Sequence, residues 1–204
     1  QFLERTEFKD YNDFFENYKL KIPENFNFGY DVVDYLANKT PDAKAMVWCN
    51  DNNEELTLTF GELKERTDRV AAFMMKMGIK RGDFVMLILQ RRYEFWLSIV
   101  ALHKIGASVI PATHMLTTED IVYRCNAAGI KHVFAVHDRD IFKYIEDAKK
   151  EAPSLKTLIG VAPFGIDTGL SQEVLKEHSE WTDFTAGVNS VTQDDLAKFH
   201  ALKR

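Results

Sequence analysis

The stretch Phe95-Trp-Leu-Ser-Ile-Val-Ala-Leu-His-Lys-Ile-Gly-Ala-Ser-Val-Ile-Pro-Ala-Thr-His-Met-Leu-Thr117 reads as a helix, a glycine stop at Gly106, a buried strand over residues 107–110 and the loop leaving that strand. In a sheet of parallel strands, small molecules bind at the loops that leave the carboxyl ends. Residues 111–117 are therefore the first place to look for a site.

Working outward, Phe84-Val-Met-Leu-Ile-Leu89 is a continuous apolar run of strand length, as expected where helices cover both faces of a sheet. Before it, Thr59-Phe-Gly-Glu62 has capping-box spacing. Leu63, Val70, Phe73, Met74 and Met77 then recur at helical intervals up to Gly78. This methionine-rich stripe reads as core packing in preference to a lipid or cofactor groove. After Thr117 the pattern repeats: a helix over 117–128 with Thr117 and Asp120 as a capping pair, a strand over 132–136, a helix over 140–150 and a strand over 155–161. Alternation at this spacing implies right-handed parallel crossovers. Upstream lie a short amphipathic helix from Tyr11, a helix over 30–38, and a hairpin whose strands, 45–49 and 56–59, flank Asp51-Asn-Asn-Glu-Glu55. The expected fold is α/β: a layered, mostly parallel sheet flanked by helices, with an N-terminal β-hairpin. Residues 1–28 read as a helical lead-in, 29–162 as the α/β core and 163–204 as a weakly defined tail, helical over 171–178 and mostly polar after 180.

Composition sets the outer bounds. The 204 residues, 46% hydrophobic and 28% charged, are ordinary for a globular protein with a sizeable core. A net charge of -5, with basic residues scattered among acids, argues against a nucleic-acid partner. The two cysteines, Cys49 and Cys125, have no Cys-x-x-Cys spacing and fit a reducing compartment, both as small core hydrophobes. No apolar run approaches the roughly 18 residues of a membrane span, and the first ten residues are too charged for a signal peptide. These features together point to the cytoplasm.

Much familiar chemistry is absent from the sequence. There is no Gly-x-x-x-x-Gly-Lys-Ser/Thr, no Gly-x-Gly-x-x-Gly, no Gly-x-Ser-x-Gly elbow and no His-Glu-x-x-His. Gly160, Gly165 and Gly169 read as a structural loop. Among the six histidines, His103 falls on a packed helix face, while His132 and His137 bracket a strand without metal-pair spacing. No metal site is expected. His114 differs, because it sits in the strand-end loop beside Thr113 and Met115. Gln90-Arg-Arg92 could grip phosphate or carboxylate through two guanidinium groups, although a solvated helix start is the preferred reading. Arg139 and Lys143, after the next strand, read first as surface residues. Arg91, Arg139 and Lys143 are kept as weak phosphate-contact candidates.

Several phrases together carry a family resemblance. Leu58-Thr-Phe-Gly-Glu-Leu-Lys-Glu65, Gly78-Ile-Lys-Arg-Gly-Asp-Phe-Val-Met-Leu-Ile-Leu89, Glu94-Phe-Trp96 and Lys104-Ile-Gly-Ala-Ser-Val-Ile-Pro111 resemble, in order and spacing, the opening motifs of the AMP-forming acyl-CoA synthetases of the adenylate-forming superfamily. Arg91-Arg-Tyr-Glu-Phe-Trp96 and Thr117-Thr-Glu-Asp-Ile-Val-Tyr-Arg124 are similar to the acetyl and medium-chain branch. The resemblance covers most of residues 10–160. It implies part of the large N-terminal domain of a ligase that joins a carboxylic acid to ATP as acyl-adenylate, with magnesium, and passes the acyl group to coenzyme A. It also implies that Thr113, His114 and Met115 line the path of the coenzyme A pantetheine arm, and that a basic group after the next strand meets nucleotide phosphate.

The departure lies in what family members carry later in their chains: the Ser/Thr/Gly-rich phosphate loop, the adenine and ribose contacts, the magnesium-binding glutamate and the catalytic lysine. The sequence reads as an N-terminal piece without catalytic residues, inactive alone, binding no cofactor tightly and self-associating through apolar surface that truncation exposes. Alternatives are a non-catalytic module that binds coenzyme A or a protein, and an aryl-CoA ligase or peptide-synthetase-type adenylation domain. A Rossmann dinucleotide domain is disfavoured by the missing glycine fingerprint.

Overall fold

A computed structural model describes residues 2–138 and 140–202. In chain order come α1 (Tyr11–Asn17), a π-helical stretch at Gly29–Asp34 running into α2 (Tyr35–Lys39), β1 (Lys44–Cys49) and β2 (Glu55–Thr59). There follow α3 (Phe60–Lys76), β3 (Phe84–Ile88), α4 (Glu94–Ile105), β4 (Ser108–Pro111), α5 (Thr118–Ala128), β5 (His132–Val136), α6 (Ile141–Lys149) and β6 (Thr157–Val161). The last elements are α7 (Gln172–Glu177), β7 (Trp181–Asp183), α8 (Phe184–Asn189) and α9 (Gln193–His200). The helix expected over 30–38 is thus split. Its wider first turn carries Asp34, whose carboxylate lies 2.6 Å from the Lys104 ammonium.

β1 and β2 pair antiparallel as the expected hairpin. The other strands form one parallel five-stranded sheet in the order β4-β3-β5-β6-β7. The chain moves from β3 outward to β4, then crosses back over β3 to β5, so winding reverses at the β3/β5 junction. In open parallel sheets that junction is where a crevice forms at the carboxyl edge.

Pleating divides the core in two. Val85, Leu87, Phe134 and Ile159 face one side and pack with Phe73, Ala101 and Leu102 of α3 and α4. Met86, Ile88, Val133 and Leu158 face the other, against Ile121, Cys125, Phe142 and Ile145 of α5 and α6. Each such aliphatic or aromatic side chain contributes about 1.5–3 kcal/mol by leaving water. Met74 is wholly buried, in keeping with the core reading of the methionine stripe. Capping boxes start α3 at Thr59 and α5 at Thr117, as the sequence indicates, and a third starts α9 at Thr192 with Asp195. Gly106 closes α4 in the left-handed conformation at φ 81°.

Residues 163–202 are more ordered than their patterning suggests. β7 extends the sheet beside β6. Trp181 stacks on Phe142 with ring centroids 3.5 Å apart, and its indole N–H donates to the Glu146 carboxylate at 3.0 Å. In α8, Gly187 lies so close to the Phe73 ring that a Cβ there would approach it to 2.2 Å. Cys125 is buried, and burial pushes its thiol up to about 11. Cys49 departs from the expectation of a core position: it is exposed, because it ends β1 on the outward side of the pleat.

Candidate functional site

A cleft of about 690 Å³ opens over the carboxyl ends of β3, β4 and β5, within the size range of ligand sites. Leu87, Leu89 and Val136 form its apolar floor, Thr113 and His114 one wall, and Trp48 with the Asn50–Asn52 turn another. Pro163 and Phe164, from the loop after β6, complete the rim. Across the floor, the Gln90 side-chain amide donates to Asp138 at 2.7 Å, bridging the β3/β5 reversal. Gln90 holds a left-handed φ of 48° to do so, an uncommon conformation for a residue with a Cβ.

Beneath the rim lies a charged pair, one member of which, Arg92, the sequence reading placed in solvent. Arg92 is 5% exposed and Glu94 is fully buried. The guanidinium forks onto the carboxylate through Nε at 3.0 Å and Nη2 at 2.7 Å. Its centre lies 5.4 Å from the Trp48 ring and 5.3 Å from the Tyr93 ring, within cation–π range. Nη2 also donates to the Gly165 carbonyl at 2.7 Å, and the Trp48 indole N–H donates to the Arg91 carbonyl at 2.6 Å. Burial holds the Glu94 carboxyl above the usual range despite Arg92. Burial and then the Glu94 charge likewise raise the Tyr93 phenol. The solvated reading of Gln90-Arg-Arg92 fails for Arg92 because a buried carboxylate two residues on needs a cation. It holds for Arg91, which is exposed at the cleft.

The candidates divide accordingly. Thr113, His114 and Arg91 come together in the cleft. Met115, 74% exposed, and Lys143, exposed on α6, do not line it. Arg139 lies outside the described residues. Trp48, the Asn50–Asn52 turn, Asp138 and Phe164 were not singled out from sequence. Each reads locally as hairpin or loop, and only the winding of the sheet gathers them. The lining mixes amides, the two carboxylates of Asp51 and Asp138 and the exposed Arg91 guanidinium with an apolar floor, so it suits a ligand with both a polar part and an apolar part. Among the described residues no group of three or more His, Cys, Asp or Glu side chains is placed to hold a metal ion.

A reversal crevice at the carboxyl edge of a parallel sheet places the molecule among the open α/β proteins that take small ligands there. The AMP-binding enzyme family model matches residues 33–199, and the chain belongs to that family. It is 36% identical over 166 residues to "Acyl-coenzyme A synthetase ACSM4, mitochondrial" of Rattus norvegicus, covering 78% of this chain and 28% of the relative. It is 30% identical over 182 residues to "Acyl-coenzyme A synthetase ACSM1, mitochondrial" of Homo sapiens, covering 85% and 29%. With "Acyl-coenzyme A synthetase ACSM3, mitochondrial" of Homo sapiens it shares 39% over 127 residues, 59% of this chain and 22% of the relative. The chain thus spans less than a third of the length of these relatives. Their names overturn the cytoplasmic expectation. Reduced cysteines and a mildly acidic balance fit a mitochondrial α/β enzyme equally well, so composition could not separate the two compartments.

Proposed function

We propose that this chain is part of an acyl-coenzyme A synthetase of the mitochondrion acting on acids from acetate to medium chain length. Family membership over residues 33–199 carries the reading, and the names of the relatives support the thioester product and the compartment. A carboxylate oxygen attacks the α-phosphorus of ATP and pyrophosphate leaves, which turns a poor leaving oxygen into a good one. The thiol of coenzyme A then attacks the carbonyl, the thiol proton is released and AMP departs. Magnesium accompanies the ATP phosphates.

In this reading residues 1–204 belong to the adenylation domain, with 29–162 at its α/β core. Thr113 and His114 form a wall along which the pantetheine arm runs, with Met115 just outside it. Arg91 faces a phosphate. Lys143, which does not line the cleft, meets phosphate only where a ligand extends past the cleft rim, and Arg139 stays a weak phosphate-contact candidate. The 204 residues alone are inactive, and aromatic side chains exposed along residues 11–28 support self-association, read as excess mass in light scattering. Pyrophosphate release with ATP, coenzyme A and a series of acids tests the assignment. The expected result is turnover by a polypeptide carrying these residues at the full length of the relatives, and none by residues 1–204. Turnover by the short chain, or none by the long one with any acid, overturns it.

A further inference from the structure

Two partly buried histidines meet where the C-terminal elements dock on the sheet. His137, just after β5, packs edge-on against the Phe142 ring with centroids 4.8 Å apart. His178, at the end of α7, lies 5.7 Å from the His137 ring and 5.3 Å from that of Phe142. Phe142 also carries the stacked Trp181 ring. On the same helix as Phe142, Glu146 Oε1 accepts from the His178 Nδ1–H at 2.8 Å and from the Trp181 indole N–H at 3.0 Å. One carboxylate oxygen thus holds both α7 and β7 to α6. Gly160 leaves room for this packing, since a Cβ there would stand 2.7 Å from the Phe142 ring and 2.6 Å from Leu170. The Leu170 amide in turn donates to Asp183 of β7 at 2.5 Å. What fastens β7 therefore also fastens the far end of the loop whose start, Pro163 and Phe164, rims the cleft.

We propose that this cluster is a pH-sensitive latch, closed while the two histidines carry at most one proton between them and opened by a second proton, on His137. Protonation of His178 at Nε2 leaves its Nδ1–H on Glu146, so one proton keeps the latch shut. A second cation on His137 would face the first across the 5.7 Å between the rings, and like charges at that range disfavour each other. The charged groups that act on His137 are His178 and Glu177 at the end of α7 and Asp138 beside it in the chain. On α6 the ring of Phe142 is uncharged and Glu146 is engaged by His178 and Trp181, while β6 offers only the Val161 carbonyl, which accepts the His137 amide at 2.8 Å. Burial and then His178 hold His137 below the ordinary histidine range, against the pull of Glu177 and Asp138. An opened cluster returns His137 to its ordinary value near 6.5. Opening then takes up a proton, so it is favoured as pH falls below about that point. None of these residues has a role in the synthetase reading.

Hydrogen exchange of the 204-residue chain at the amides of residues 181–183, corrected for the pH dependence of intrinsic exchange, tests the latch. Protection there should fall by up to tenfold for each pH unit below about 6.5. His137→Phe keeps a ring against Phe142 but takes up no proton, and should abolish this dependence. His132→Gln, which removes the buried histidine at the start of β5, should retain it. His178→Gln keeps a donor for Glu146 and removes the like charge, so it should shrink the dependence, and it decides the matter if His137→Phe fails to fold. Protection in the parent that does not fall with pH overturns the latch. So does a fall that survives His137→Phe or is undiminished in His178→Gln. A fall that vanishes in His132→Gln belongs to unfolding of the whole chain and overturns the latch as well.

Discussion

Helix α4 carries a buried cation system at each end, and the two are built for different purposes. At its C-terminal end, on the amino edge of the sheet, the fully buried Lys104 ammonium lies 2.6 Å from both Asp34 and Asp68 and 3.1 Å from the Thr67 hydroxyl. Every partner belongs to a neighbouring helical segment, so this cluster ties helices together. At its N-terminal end, on the carboxyl edge, Arg92 has one carboxylate partner and directs its remaining donors to loop carbonyls at the cleft. A strongly hydrated point charge that satisfies several carboxylates is lysine's role, while a planar fork that reaches a carboxylate and two carbonyls at once is arginine's. The comparison teaches that burial of charge alone does not mark a site; the nature of the partners does.

The largest expected effect comes from breaking the amino-edge cluster. Lys104→Met takes the ammonium from the partly buried Asp34 and leaves the buried Asp68 with Lys64 as its lysine partner, and should cost about 3–5 kcal/mol in urea unfolding. Asp34 already sits above the usual carboxylate range through burial, whereas at Asp68 burial is outweighed by Lys104 and then Lys64. Arg92→Met should cost about 3 kcal/mol, at the lower end of that range, because a single raised carboxyl, Glu94, can take up a proton in compensation. An acid whose folded pKa is raised stabilises the fold most at low pH and loses that contribution as pH rises through the folded value. The Arg92 variant should therefore weaken progressively as pH increases. Amide exchange at Gly165 and Asp167 should accelerate in it and remain slow in Lys104→Met. Equal exchange in the two variants would erase the distinction drawn between the ends of α4.

A smaller effect belongs to the amino edge alone. His132 is buried at the start of β5, its Nε2 3.4 Å from Asp83, and burial keeps its pKa below the ordinary value although Asp83 pulls the other way. The unfolded chain then binds the proton first, near pH 6.5. Stability should fall as pH drops below that point, by at most about 1.4 kcal/mol per pH unit. His132→Gln should flatten this part of the profile in urea titrations without altering the cleft.

These contrasts also account for what could be read from the sequence. The runs at Phe84–Ile88 and His132–Val136 and the caps at Thr59 and Thr117 were legible because each is a local pattern repeated over several residues. The three residues of β7 and the six of α8 are too short for a period to emerge, and β7 gains its pairing from β6 rather than from its own composition. In the site, Thr113 and His114 were legible because they directly follow a strand. The Asn50–Asn52 turn was not, since nothing near it in sequence refers to the carboxyl edge; Phe164 also follows a strand, but its glycine-rich loop was read as structural. Arg92 was misplaced for a related reason. Glu94 lies only two residues on, but no helical or strand periodicity announces that both turn inward.

The smallest predicted change probes how the hairpin joins the carboxyl edge. Trp48 packs edge-on against Tyr93 with ring centroids 5.4 Å apart, lies beside the Arg92 guanidinium and gives its indole N–H to the Arg91 carbonyl. Trp48→Phe keeps an aromatic ring beside Tyr93 and Arg92 but removes that donor. The Arg91 carbonyl loses a hydrogen bond and can turn to water at the open cleft, so the cost should be about 1 kcal/mol. Because the lost bond joins β1 to the segment carrying Arg91, the loosening should appear in amide exchange around the hairpin turn and not at Lys104. Exchange that also accelerates at Gly165 and Asp167 would mean that the hairpin, rather than the buried Arg92–Glu94 pair, sets the geometry of the cleft.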